Sequence, residues 1–214
     1  MGVVREAEDT SLGRTVALKM IRGFAFSTDG EKQRFHAEAK AVAQLDHPDI
    51  VPIYEVGEIE DQPYFTMKLL ENGILSQHLQ DGPLGARDAS VIMEKVARAS
   101  HHAHERGVLH RDIKPDNVLI DAVSEPYLTD FGLAKLLDSS TGLTLNHAHV
   151  GTPQYMSPEQ AWGSASDITP ASDVWAAGAL FYHMLAGRIP FLGTSSGEIL
   201  YPESKASKKG ERHS

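Results

Sequence analysis

Apolar positions change period twice along the chain, and those changes mark its organisation. Val16-Ala-Leu-Lys-Met-Ile21 is a short apolar run holding one lysine, and Tyr64 to Leu69 is another, preceded by the turn-forming Glu60-Asp-Gln-Pro63. Both predict strands. Between them Phe35, Ala39, Val42 and Leu45 recur at helical spacing until His47-Pro48 closes the segment, since the residue before proline is pushed out of the helical region. Beyond Asn72-Gly73 the pattern is mostly helical. Ile92, Val96, Ala99 and Ala103 share one face, with Gly107 placed to stop that helix. Val118-Leu-Ile120 and Tyr127-Leu-Thr129 predict two short strands. From Thr129 to Pro170 no period persists, which predicts a long loop, and loops of that length usually carry function. A last helix is predicted from Thr169-Pro170 to Gly187, with Val174, Ala177, Phe181 and Leu185 along its apolar face. Residues 201–214 hold Lys205, Lys208, Lys209 and Arg212 with almost no apolar content and predict a polar, disordered tail. No internal repeat is seen.

Composition narrows the function classes. The 214 residues are 41% hydrophobic and 23% charged, an ordinary globular balance able to build a core. Twenty basic against 29 acidic residues leave a net charge of −9. That argues against nucleic-acid binding, which runs on phosphate neutralisation, and against adhesion to an anionic membrane. No cysteine is present, which excludes disulfides, Cys-ligated zinc, iron–sulfur clusters and thiol catalysis and fits a reducing, cytoplasmic setting. The N-terminus lacks a signal-peptide profile, and Val174 to Gly187 is too short and too broken to span a bilayer.

Two blocks carry the chemistry. His110-Arg-Asp-Ile-Lys-Pro-Asp-Asn117 follows the long helix, and Asp130-Phe-Gly132 follows the second short strand, eighteen residues after Asp112. Together, in order and between strands, they are specific, and on them the chain resembles the eukaryotic-like protein kinase family. The wording Tyr155-Met-Ser-Pro-Glu-Gln160 is similar to its bacterial members. The resemblance implies an α+β, two-lobed fold: residues 1–70 a small antiparallel sheet with one helix, residues 71–200 a mainly helical lobe, and residues 201–214 the tail. It implies ATP and Mg²⁺ as cofactors and a protein as substrate. Phosphoryl transfer needs alignment and charge neutralisation more than covalent chemistry. A short loop with Asp112 and Asn117 five apart can aim a carboxylate at a hydroxyl and an amide at a metal. By resemblance, Asp112 takes the substrate proton, Lys114 contacts the transferring phosphate, and Asn117 and Asp130 hold Mg²⁺ through hard oxygen ligands.

The N-terminal half supplies the expected partners. Val16-Ala-Leu-Lys19 resembles the family's V-A-I-K strand, and Glu38, nineteen residues on, its ion-pair glutamate. Alone, Lys19 reads as a solubility charge on a strand and Glu38 as an exposed helix carboxylate. Ahead of the catalytic block both read as functional. The same transfer puts Val4 and Ala17 over the adenine and Leu119 beneath it, with Met67 as gatekeeper and Lys68 to Leu70 as hinge. Val42, Ile53, His110 and Phe131 match a stacked apolar column linking the lobes. Gly2-Val3-Val4 matches only the last part of the glycine-rich cover, so the first strand and two glycines of the family pattern are expected to be missing, with helices missing after Pro190-Phe191.

Gly151-Thr-Pro-Gln-Tyr-Met-Ser-Pro-Glu159 resembles the closure of an activation segment and, with Lys114, implies serine/threonine substrates, with Thr152 near Asp112. Arg111 is expected to bind a phosphate on Ser139, Ser140, Thr141 or Thr144. Asp173 matches an aspartate that braces the catalytic loop, and Glu159 has no evident partner in the chain. His101, His102, His104, His147 and His149 read as ordinary histidines rather than metal ligands. Two functions stand open at this point: a serine/threonine protein kinase, or an inactive kinase-like module that only binds or docks.

Overall fold

The computed structural model describes residues 3–20, 29–60, 62–131, 153–162 and 165–191. Four antiparallel strands, β1 (Val3–Asp9), β2 (Arg14–Met20), β3 (Ile53–Ile59) and β4 (Gln62–Lys68), form one sheet in the order β1-β2-β4-β3. The β1–β2 hairpin closes because Asp9 Oδ1 accepts from the backbone N–H groups of Ser11 and Leu12, at 3.2 and 3.3 Å, an Asx-type turn. Strand β4 alternates buried Pro63, Phe65 and Met67 with half-exposed neighbours, the period-two signature of a sheet with one covered face. That cover is α1 (Asp29–Ala43), which buries Phe35, Ala39 and Val42 as its helical spacing predicts.

The second lobe starts with α2 (Leu75–His78) and α3 (Ala86–His104), then a small antiparallel pair, β5 (Val118–Ile120) with β6 (Pro126–Leu128). Helix α3 buries Val96, Ala99 and Ala103, and Gly107 past its end has a φ of +73° that a side chain would strain. Two backbone bonds join the lobes: Leu128 N–H donates to Asp49 O at 2.8 Å and Val51 N–H to Leu128 O at 2.9 Å. A single apolar cluster runs from Ala17 in the sheet to Met184 in the last helix, so the lobes share one core.

Two expectations change here. The segment 129–170 is not loop throughout: Pro153–Tyr155 and Ala165–Asp167 are 3-10 turns and α4 (Pro158–Trp162) is a short helix. Pieces of three to five residues are too short to show a helical period. Helix α5 (Pro170–Ala186) forms where Thr169-Pro170 and Gly187 place it, but a different face is buried. Asp173, Ala176, Leu180 and Met184 point inward, while Val174 is 67% and Leu185 40% exposed. The helix is apolar on most of its circumference, so apolar spacing selects no face. The rotation is set instead by Asp173, whose buried carboxylate must find hydrogen-bond donors.

Candidate active site

The loop between α3 and β5 is held from below. Asp173, 2% exposed, accepts from His110 N–H (2.8 Å) through Oδ2 and from Arg111 N–H (2.7 Å) through Oδ1, and its Oδ2 also meets His104 Nε2 at 2.8 Å. The brace expected of Asp173 is present, and His104, unassigned by the sequence, is part of it. His110 is fully buried and its two ring nitrogens are both engaged. Nε2 lies 2.9 Å from Thr129 O, and Nδ1 accepts from Asp112 N–H at 3.2 Å. That pair of roles fits a neutral imidazole, and burial holds its pKa below the ordinary histidine value despite the nearby Asp173, Asp112 and Asp130. The His110 and Phe131 rings meet with centroids 4.6 Å apart and planes tilted by 43°, and Val42, Ile53 and Phe131 line the same small apolar gap, so these four residues are brought together.

On this platform the charged groups converge. Asp112 Oδ2 accepts from Lys114 Nζ (2.8 Å) and Asn117 Nδ2 (3.0 Å), and Asn117 Nδ2 also donates to Asp112 O at 2.7 Å. These bonds fix the Asp112 carboxylate and leave the Asn117 amide oxygen for another partner. Asp130 stands at the far side of the cleft, its Oδ2 paired with Lys19 Nζ from β2, while its Oδ1 is buried without a hydrogen-bond partner. Arg111 and Asp130 both have positive φ, +64° and +62°. Non-glycine residues hold that conformation only where surroundings impose it, often at functional sites. Buried Oδ1 and the Asn117 amide oxygen are hard ligands of the type Mg²⁺ prefers. Among the described residues no three His, Cys, Asp or Glu side chains form a metal site alone, so such an ion would complete its shell with phosphate and water oxygens.

The remaining predicted residues divide. Ala17 is buried opposite Met67, and Val4, half-exposed, lies opposite Lys19 in the β1–β2 register. Leu119 bridges to Ile74, and Leu70 packs beside the core after β4. Glu38 is not paired with Lys19, whose carboxylate partner is Asp130. Glu38, three residues from Phe35 and four from Val42, stands at the edge of the buried face and is exposed. Partial desolvation there raises its pKa and the Arg111 guanidinium opposes the rise. Glu159 does have a partner: Ser172 Oγ donates to its Oε1 at 2.6 Å, lowering the carboxyl's pKa. Ser172, on the first turn of α5, is not singled out by the sequence. Gln160 Nε2 donates to Arg111 O at 2.7 Å, and Tyr155 meets His183 at 2.6 Å; nothing in the sequence singled out either contact. Gly2, Thr152, Ser139, Ser140, Thr141 and Thr144, with His147 and His149, lie outside the described residues.

Comparison with known proteins agrees with this geometry. A model of the protein kinase domain matches residues 1–210. The serine/threonine-protein kinase PrkC of Bacillus subtilis (strain 168) is 41% identical over 98% of this chain and 33% of its own length. PknA of Mycobacterium tuberculosis is 40% identical over 90% of this chain and 46% of its own. The chain thus spans about a third to a half of the curated relatives it matches. The crystal structure of the Mycobacterium tuberculosis PknI kinase domain superposes with a TM-score of 0.73 at 28% identity, covering 91% of this chain and 72% of that one.

Proposed function

This chain belongs to the protein kinase domain family, and on that basis we propose that it transfers the γ-phosphoryl group of ATP to serine or threonine hydroxyls of a protein. The observation that carries the proposal is the meeting of Lys19 from the sheet with Asp130, Asn117, Asp112 and Lys114 from the other lobe. The adenine lies between Val4 and Ala17 above and Leu119 below, beside Met67 and the backbone of residues 68–70, with Leu70 at the mouth and Gly2 over the phosphates. Lys19 holds the α/β phosphates, and Glu38 reaches that lysine when the nucleotide draws it from Asp130. Asn117 and Asp130 hold Mg²⁺, which neutralises charge on the phosphates. Asp112 accepts the proton of the attacking hydroxyl, the new P–O bond forms on that oxygen, and the bond to the β-phosphate oxygen breaks to release ADP. Lys114 stabilises the moving phosphoryl group. Arg111 receives an activating phosphate from Ser139, Ser140, Thr141 or Thr144, Thr152 orients the acceptor near Asp112, and Glu159 anchors the segment.

The absence of cysteine and the acidic net charge support work on proteins in the cytoplasm, and no helix among the described residues is long and apolar enough to cross a membrane. Intact-mass measurement of phosphate incorporation from Mg²⁺-ATP into a generic protein substrate tests the reading. Asp112→Asn is expected to lower the rate by about 10²–10⁴-fold, the usual worth of a general base. If the folded wild-type chain adds no phosphate, the enzyme reading fails and the docking-module reading takes its place.

A further inference from the structure

Residues 153–160 are fastened at three points. Gln160 bonds the Arg111 carbonyl, Glu159 bonds Ser172, and Tyr155 meets His183 on the exposed-to-core boundary of α5. The first two tie the segment to the catalytic loop and to the start of α5. The third differs in kind, because its acceptor is an imidazole that can take up a proton. Tyr155 is 7% exposed, and its hydroxyl lies 2.6 Å from His183 Nδ1. Burial and the neighbouring Asp116 charge push the phenol far above its usual range, so it keeps its hydrogen. Burial pushes the imidazole below its ordinary value, so it is the neutral acceptor. Asp116 itself is engaged by Ser76 Oγ at 2.7 Å. From α3, His104 reaches α5 at Asp173, far along the helix from His183. Among the described residues, no carboxylate or cation is found acting on His183 itself.

We propose that His183 is a positioning residue: its neutral imidazole accepts the Tyr155 hydroxyl and holds residues 153–160 in place for the protein substrate, and protonating it releases them. An imidazolium can only donate. Its Nδ1–H would turn the phenol into an acceptor and strand the phenolic hydrogen in a buried site, where an unmade bond is costly. Tyr155 lies five residues before Gln160, whose own bond to the Arg111 carbonyl is independent of His183, so substrate binding suffers before the chemical step does. This rests on the kinase reading, and the experiment separates the two.

Phosphate incorporation at varied protein-substrate concentration, followed from about pH 7.5 down through the wild-type His183 titration, compares wild type with Tyr155→Phe and His183→Gln. A ¹⁵N-imidazole NMR titration of wild type and Tyr155→Phe runs beside it. In wild type the substrate KM is expected to rise about tenfold across this range, the kinetic equivalent of one buried hydrogen bond, with kcat changing less. His183→Gln keeps an acceptor at every pH and is expected to lose that acidic limb. Tyr155→Phe is expected to show the raised KM at all pH values and to shift the His183 titration. A wild-type acidic limb in His183→Gln overturns the proposal. So does a His183 titration that Tyr155→Phe leaves unchanged. If no variant transfers phosphate at any pH, the kinase reading fails on its own account, and the titration alone decides whether the hydrogen bond is made.

Discussion

Asp173→Asn isolates what the buried brace does. The carboxylate receives three donors, at 2.7, 2.8 and 2.8 Å, from Arg111 N–H, His110 N–H and His104. An amide of the same shape keeps one accepting oxygen and turns its NH₂ toward at least one donor. Each hydrogen bond to a charged group contributes about 1.5–3 kcal/mol, and a donor facing a donor adds to the loss. The expected destabilisation is about 2–4 kcal/mol, a large part of the roughly 5–15 kcal/mol of a typical domain. At about 2–4 °C per kcal/mol for a chain of this size, the melting point drops by about 5–15 °C. The effect extends to the chemistry. Arg111 sits at φ +64°, a conformation costing about 1–3 kcal/mol for a side-chain-bearing residue, and its N–H bond to Asp173 is one of the restraints on it. Releasing it swings the adjoining Asp112, so phosphate incorporation falls at least about tenfold at temperatures where the variant stays folded. Urea unfolding by circular dichroism and single-turnover incorporation measure the two effects. A midpoint within about 0.5 kcal/mol of wild type, the size of an ordinary surface change, refutes the reasoning.

Three further outcomes are expected. Ser172→Ala removes the hydroxyl that holds the Glu159 carboxyl below its ordinary 4.5, lowering stability by about 1–2 kcal/mol in urea. A carboxyl lowered in the fold stabilises above its unfolded value and loses that contribution as pH falls through the folded one, so the variant's deficit shrinks in acid. His110 is lowered by burial; its contribution is complete above about pH 6.5 and lost as pH falls toward its folded value, so urea midpoints at about pH 7.5, 6 and 5 decline in that order. Leu180→Ala costs about 2–5 kcal/mol while Val174→Ala stays within about 0.5, because Leu180 is fully buried and Val174 is 67% exposed; similar costs for both would mean the buried face of α5 is assigned wrongly.

Much of this was legible before any coordinate. Helices α1 and α3 carry one apolar stripe each, Phe35-Ala39-Val42 and Val96-Ala99-Ala103, and both stripes are buried. The residues of the catalytic loop were legible because their chemistry fixes both type and spacing. What escaped reading was set by long-range polar contacts. The buried face of α5 follows from Asp173 finding donors more than sixty residues away, and local periodicity is blind to that distance. Ser172 and His183 escaped for a related reason: a serine on a capping turn and a histidine on an apolar helix look ordinary until Glu159 and Tyr155 are placed beside them. Glu38 was named as the partner of Lys19 by resemblance, and in this structure the carboxylate that the fold brings within reach of that lysine is Asp130.

The site is built asymmetrically, and that bears on how it works. Asp112, Lys114 and Asn117 bond one another within six residues of chain, and His110 and Asp173 fasten that loop to the residue after β6 and to α5 through buried groups. The other lobe brings Lys19 to the centre, through its pair with Asp130. Asp130 stands at positive φ directly after Thr129, whose N–H donates to Asn117 O at 3.0 Å and whose carbonyl faces His110. The helical lobe therefore arranges Asp112, Lys114 and Asn117 through its own contacts, and the sheet lobe meets it through Lys19, the apolar column ending at Phe131 and the backbone bonds of Asp49 and Val51 with Leu128. Relative movement of the lobes would change what Lys19 holds while leaving Asp112 and Asn117 where α5 and His110 put them, so under the proposed kinase reading nucleotide capture and proton removal depend on separate sets of contacts.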